Sequence, residues 1–153
     1  MRILYLVHQF FPEFASGTER VTLQLAQAQQ RAGHHVQVLA CRVAPPATPL
    51  PAGPVAGSAA LMHDGVPVLL LSHAQLPGHA DTAFDVVEAL VQDLHRWLVG
   101  QAFDVVHLMH AMRMGSAIAA VQRAGLPLVV TATDFHLACL RINLVDTAGR
   151  ACS

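Results

Sequence analysis

The chain has 153 residues, of which 54% are apolar and only 12% charged, with a net charge of −1. That length suits one domain with a substantial core. Nine Lys and Arg in all leave no basic face to follow a nucleic-acid backbone, which excludes nucleic acid as a partner. An ordinary soluble domain carries roughly 25% charge, and the shortfall has two readings. It is either plain Ala and Val enrichment, or the mark of a face that packs against another domain. The longest uncharged stretch, residues 43–62, holds Pro45, Pro46, Pro49, Pro51 and Pro54, which rules out a spanning helix there. The opening MRILYLVHQFF is too short and too polar for a signal peptide, so the cytoplasm is the expected compartment. Cys41, Cys139 and Cys152 are an odd, sparse set that does not suggest a disulfide scaffold.

Residues 2–8 form a compact apolar run suited to a buried parallel strand. After the loop QFFPEFASG, Ser16 and Glu19 stand at capping-box spacing. The helix that follows places Val21, Leu25, Ala28 and Ala32 along one stripe and stops at Gly33. Residues 35–41 read as a second strand, completing a right-handed βαβ unit. The Pro- and Gly-rich stretch 43–60 reads as a long irregular loop. Asp64-Gly65 marks a hairpin or a bent edge strand, with Pro67 arguing against a central strand. Asp81 is a candidate cap for a helix whose face runs Phe84, Val87, Val91, Leu94 and Leu98 and whose stop is Gly100. A strand is expected over 103–109, then a helix over 112–124 stopped by Gly125, then a strand over 128–133. The fold class is therefore α/β, with a mostly parallel sheet and helices on both faces.

In such sheets ligands sit beyond the carboxyl ends of the strands, and three segments arrive there. The first leads into the capped helix, where the amides around Ser16 and Gly17 make an anion site or an ordinary capped turn. No G-x-G-x-x-G accompanies it, so the dinucleotide fingerprint is absent. The second holds His107 and His110. Three residues apart on a strand, they point to opposite faces and cannot share a metal unless the strand has ended by His110. His107 reads as a hydrogen-bonded core histidine or a ligand contact, and His110 as the better ligand candidate. The third holds Thr133, Asp134 and His136, with Asp134 either orienting a hydroxyl or a histidine, or capping a helix. Cys139 and Cys152 flank a polar loop with Arg141, Asn143 and Asp146. Their default role is packing, and no complete metal set is present.

Taken in order, these segments resemble the N-terminal domain of family 4 (group 1) glycosyltransferases of GT-B type. Phe11-Pro12-Glu13 is similar to the family's "FPP" loop, Ser16-Gly17 to its Gly-Gly turn, and Glu19-Arg20 and Leu25-Ala26 to its "ER" and "LA". RAGHHV resembles "RGHEV", FDVVHLMHAMRMG resembles "DVVHaHh", and GLPLVVTATDFHLACLR resembles "GiPvVlTlHDfWllCpr". Two positions depart from that pattern. Ser16 replaces the first glycine of the turn, and Thr133 replaces the histidine of "HD", while Asp134 is kept.

The resemblance implies a Rossmann-like N-terminal half of a GT-B fold over residues 1–153, with a C-terminal donor-binding domain as its partner outside the sequence. It implies transfer of a sugar from a nucleotide-diphosphate donor to an acceptor with retained configuration. No cofactor or metal is required, the nucleotide sugar being a co-substrate. His110 and Asp134 are then the catalytic candidates, and Ser16, Gly17, Glu19, His107 and Thr133 the substrate- or phosphate-binding ones. The implied setting is cytoplasmic, with peripheral attachment at the inner face of the membrane left open. A non-catalytic acceptor-binding or assembly module is the competing expectation, and an unrelated nucleotide-binding α/β domain the third.

Overall fold

The computed structural model describes residues 1–43, 49–76, 85–135, 137–139, 144–146 and 148–151. Its strands are β1 (Arg2–Val7), β2 (His35–Cys41), β3 (Ala59–His63), β4 (Val66–Leu71), β5 (Val105–Leu108) and β6 (Leu128–Val130). Its α-helices are α1 (Gly17–Arg31), α2 (Glu88–Gln101) and α3 (Gly115–Arg123). The strands form one sheet in the order β3-β4-β2-β1-β5-β6, in which only the β3–β4 pair is antiparallel. The expected α/β architecture is the one found.

Side-chain alternation along β1 divides the core. Leu4 and Leu6 pack with Leu39, Leu69 and Leu71 against α2 and α3. Tyr5 and Val7 pack with Val38, Ala40 and Val68 against the α1 side. A strand covered on both faces has no polar side, which is why β1 and β2 read as nearly unbroken apolar runs. Each buried Leu or Val contributes about 1.5–3 kcal/mol relative to exposure, so the central strands anchor whatever their ends carry.

The parallel strands run outward from β1 in two directions, through β2 to β4 and through β5 to β6. Strand order thus reverses between β1 and β5, leaving a crevice at their carboxyl ends. This is where open α/β sheets bind ligands. Among the described residues no helix is long and apolar enough to cross a membrane.

Several sequence expectations change in detail. The stripe Val21, Leu25, Ala28 and Ala32 faces outward, with Val21 44% and Leu25 37% exposed. The buried positions of α1 are Glu19, Thr22 and Ala26. Ala26 packs in the same cluster as Tyr5, Val7 and Val38. The Tyr5 hydroxyl reaches up and donates to Gln29 Oε1 at 2.9 Å. β4 is also not an edge strand despite Pro67, because it pairs with β2 as well as β3. His63 and Val66 close the two-residue turn, which makes Met62–Pro67 the pair that exchanges no hydrogen bonds. Registered pairing with β2 begins at Val68, so the missing proline N–H costs no ladder bond.

α2 runs one residue past Gly100 and is capped by Ala102 in the left-handed region, at φ 51°. Asp81 and Phe84 lie outside the described residues. Part of the stretch read as an irregular loop is packed: Val55 is fully buried, and the Ser58 hydroxyl donates to its carbonyl at 2.6 Å. β5, α3 and β6 are each shorter than read, but Gly33 and Gly125 end their helices with φ of 85° and 64°.

Candidate functional site

Four side chains from four chain segments meet at the β1–β5 crevice. His8 follows the last residue of β1, and His110 lies two residues past β5. Because those strands are neighbours in register, the two imidazoles stack with centroids 4.0 Å apart. Asp134, beyond the end of β6, accepts from His110 Nε2 at 2.6 Å. Glu19, in the first turn of α1, places Oε1 3.8 Å from His8 Nε2. The line Glu19–His8–His110–Asp134 thus joins α1 to the ends of β1, β5 and β6.

His110 is held at both ring nitrogens. Its Nδ1 accepts from the Met112 amide at 3.2 Å while Nε2 donates to Asp134, an arrangement that defines the neutral tautomer carrying its proton on Nε2. The side chain is almost wholly enclosed. Sequence reading places His110 past the strand end, as found, but its nitrogens are occupied by the protein's own groups.

Glu19 does the work of a helix cap. Its Oε2 accepts from the Ser16 amide at 2.8 Å and from the Ser16 hydroxyl. Ser16 is extended, at φ −82° and ψ −168°, so the replacement of the family glycine introduces no backbone strain. Gly17 is not left-handed, and a Cβ there meets nothing within 4 Å. The fold does not need glycine at that position. With the Ser16 amide satisfied by Glu19, the first-turn amides that have no acceptor inside the helix are those that follow, beginning with Gly17 and Thr18.

The remaining predicted residues divide. The Thr133 hydroxyl donates to the Met109 carbonyl at 3.1 Å, tying the β6 exit to the β5 exit. His107 does not join the line. It stacks on Tyr5 at 5.1 Å and shares a 2.8 Å hydrogen bond with the Thr131 hydroxyl. Burial holds its pKa below the ordinary histidine value, as desolvation disfavours the charged ring. Of the two sequence readings, the hydrogen-bonded structural histidine describes its surroundings. His136, Arg141, Asn143 and Cys152 lie outside the described residues. Asp146 is engaged in its own turn, accepting from the Ala148 and Arg150 amides at 2.8 and 2.9 Å. Those bonds and the Arg150 guanidinium hold its carboxyl below the usual range.

Sequence reasoning passed over His8 as a site residue, placing it only at the end of the first apolar run. The available signal was its place immediately after the first strand, at the rim where ligands collect. Arg42, just past β2, lies on the same rim with its Nε 3.8 Å from Glu13 Oε1.

No curated protein matches the sequence. A family model does match it, over residues 16–152, a span that takes in α1, Glu19, His110 and Asp134 and five of the six strands, with β1 and His8 before it. The chain belongs to the glycosyl transferase 4-like domain family.

Proposed function

We propose that this domain is the acceptor side of a retaining glycosyltransferase that moves a sugar from a nucleotide-diphosphate donor to a hydroxylated acceptor. The observation that carries the reading is the meeting of Glu19, His8, His110 and Asp134 at the β1–β5 crevice. That is the position where a two-domain transferase of this kind needs its acceptor face. The chemistry asks for stabilisation of a departing diphosphate beside a sugar carrying developing positive charge. The amides of Gly17 and Thr18, at the positive end of α1, supply donors for a phosphate oxygen. A C-terminal domain is the partner that holds the nucleotide, so residues 1–153 alone catalyse no transfer. The nucleotide sugar is a co-substrate, and neither metal nor other cofactor takes part. The reaction belongs to the cytoplasm, at the inner membrane face where the acceptor is lipid-linked.

One observation favours a second reading, a non-catalytic acceptor-binding module. At the position where the family pattern has histidine, Thr133 spends its hydroxyl on the Met109 carbonyl and offers no base. Release of nucleoside diphosphate by the intact gene product, across a panel of nucleotide sugars, decides between them. Turnover with any donor removes the module reading, and silence with every donor removes the transferase.

A further inference from the structure

α1 is amphipathic, yet its apolar stripe faces away from the sheet. Val21, Leu25, Ala28 and Ala32 are all exposed, while the positions turned inward are Glu19, Thr22 and Ala26. At about 100° per residue, the exposed arc carries that stripe along one edge and the exposed Arg20 and Arg31 along the other, with Gln24 between them. The two arginines stand about 16 Å apart along the helix axis at 1.5 Å per residue. Arg20 is steadied through its Nε, which donates to the Ala15 carbonyl at 2.8 Å, and its terminal nitrogens remain for another acceptor. The one acidic residue of the helix, Glu19, is fully buried. Of the carboxylates on the adjoining loops, Glu13 lies 3.8 Å from Arg42 and Asp64 lies 3.8 Å from His63. Among the described residues no carboxylate pairs with Arg20 or Arg31.

We propose that this outer face of α1 docks on an anionic lipid surface, with Val21 and Leu25 entering the headgroup layer and Arg20 and Arg31 meeting lipid phosphates. The proposal rests on the reading above of a lipid-linked acceptor and names the surface that brings the domain to it. Charge decides among the occupants. A second copy presents the same two arginines and no acid, so like charges meet across a two-fold axis. A single phosphate group cannot reach both guanidinium groups across about 16 Å. A bilayer offers many anions side by side above an apolar layer, which matches both edges of the exposed arc. The stripe also holds short aliphatic chains and none of the aromatic anchors that concentrate energy at protein interfaces. A shallow, reversible contact suits it. The first turn of α1 borders the crevice, where Glu19 faces His8, so a bilayer against this face holds the crevice beside the headgroups.

The test is sedimentation of the intact gene product with two kinds of vesicle, phosphatidylcholine alone and phosphatidylcholine mixed with an equal share of phosphatidylglycerol. The parent chain is expected to sediment with the mixed vesicles and to be released by salt, which screens the arginines from the lipid phosphates. Arg20→Gln and Arg31→Gln are each expected to lower the partition by about fivefold, and the double change by about twenty-five-fold. Leu25→Ser lowers it by a comparable factor through lost apolar contact. All three positions are exposed, so the melting temperatures stay unchanged.

Failure to sediment with the mixed vesicles, equal sedimentation with both kinds, or a partition unmoved by the double arginine change overturns the proposal. So does a two-copy particle in size-exclusion chromatography that Leu25→Ser dissolves, which gives the face to a second copy. Retention on immobilised polyglutamate without sedimentation on the mixed vesicles gives it to an acidic protein and overturns the proposal as well. Donor turnover answers a separate question. Vesicle binding with the expected losses upholds the docking even where no nucleotide sugar is consumed, and turnover without vesicle binding keeps the transferase and removes the docking.

Discussion

The two rims of the sheet both carry histidines, yet they use them in opposite ways. At the amino-terminal rim a cleft of about 260 Å³ is lined by Arg2, His34, His35, Gly65 and Phe103 among others. It is the roomier hollow, but its polar groups fasten chain segments together. The Arg2 guanidinium donates to the Gln101 carbonyl at 2.7 Å, the Arg2 amide donates to Asp104 at 2.7 Å, and the terminal amine meets His34 Nδ1 at 3.3 Å. At the carboxyl rim there is less space but a continuous line of titratable side chains drawn from distant parts of the sequence. What separates the rims is whether polar groups are consumed in closing the fold or arranged facing one another at the crevice, where strand order reverses.

Breaking the carboxyl rim is expected to have the largest effect. His110→Ala removes the ring stacked on His8 and leaves Asp134 without that donor, for a loss of about 2–4 kcal/mol. The matching change on the opposite rim, His34→Ala, is expected to stay within about 0.5 kcal/mol. Thermal melts of the two variants compare the rims directly, and equal losses end the contrast drawn here. Glu19→Ala comes next, at about 1–2 kcal/mol, because it deletes the partner of the Ser16 amide while also removing a buried oxygen that accepts no hydrogen bond. A larger loss indicates that its interaction with His8 stabilises the fold as well.

His107 sharpens the comparison by pH, as a histidine beside the rim but outside the line. Its folded pKa is depressed by burial, so below about pH 6.5 the unfolded chain binds more protons than the folded one. Stability therefore falls as pH drops through that value and is level above it. In urea melts between pH 5 and 7.5, His107→Gln is expected to show a shallower acid decline than the parent chain. Identical slopes place the acid sensitivity elsewhere.

The smallest expected effect runs the other way. Gly17 has room for a methyl group and is not left-handed, so Gly17→Ala is expected to gain about 0.4–1 kcal/mol by restricting the unfolded chain. If the amides at this terminus receive a phosphate, the same variant loses transfer activity while melting higher. Undiminished activity removes the phosphate role from Gly17.

Much of the fold was legible in the sequence where one constraint dominated. β2 falls on the residues its apolar run delimits and β1 stops one short, because burial on both faces leaves no ambiguity. Gly33, Gly65 and Gly125 mark turns because their positive φ excludes most other residues. The capping spacing of Ser16 and Glu19 placed the start of α1 correctly. The orientation of α1 was not legible, since periodicity reports a stripe and not which stripe the sheet accepts. Here the sheet accepted the shorter side chains of Thr22 and Ala26 and left Val21 and Leu25 outside. Pro67 misled for a related reason, because the rule it invokes concerns a hydrogen bond that this register never asks for.

By itself, then, the sequence determined the alternation of strands and helices, the turns between them and which segments reach the carboxyl rim, all consequences of local periodicity and backbone sterics. Only the tertiary structure decided that β1 lies beside β5, and with it that His8 stacks on His110 and that Asp134 holds His110 from the next strand. The first contact joins residues about a hundred positions apart and the second residues 24 apart, both through strand order, and strand order is settled by the packing of the whole sheet.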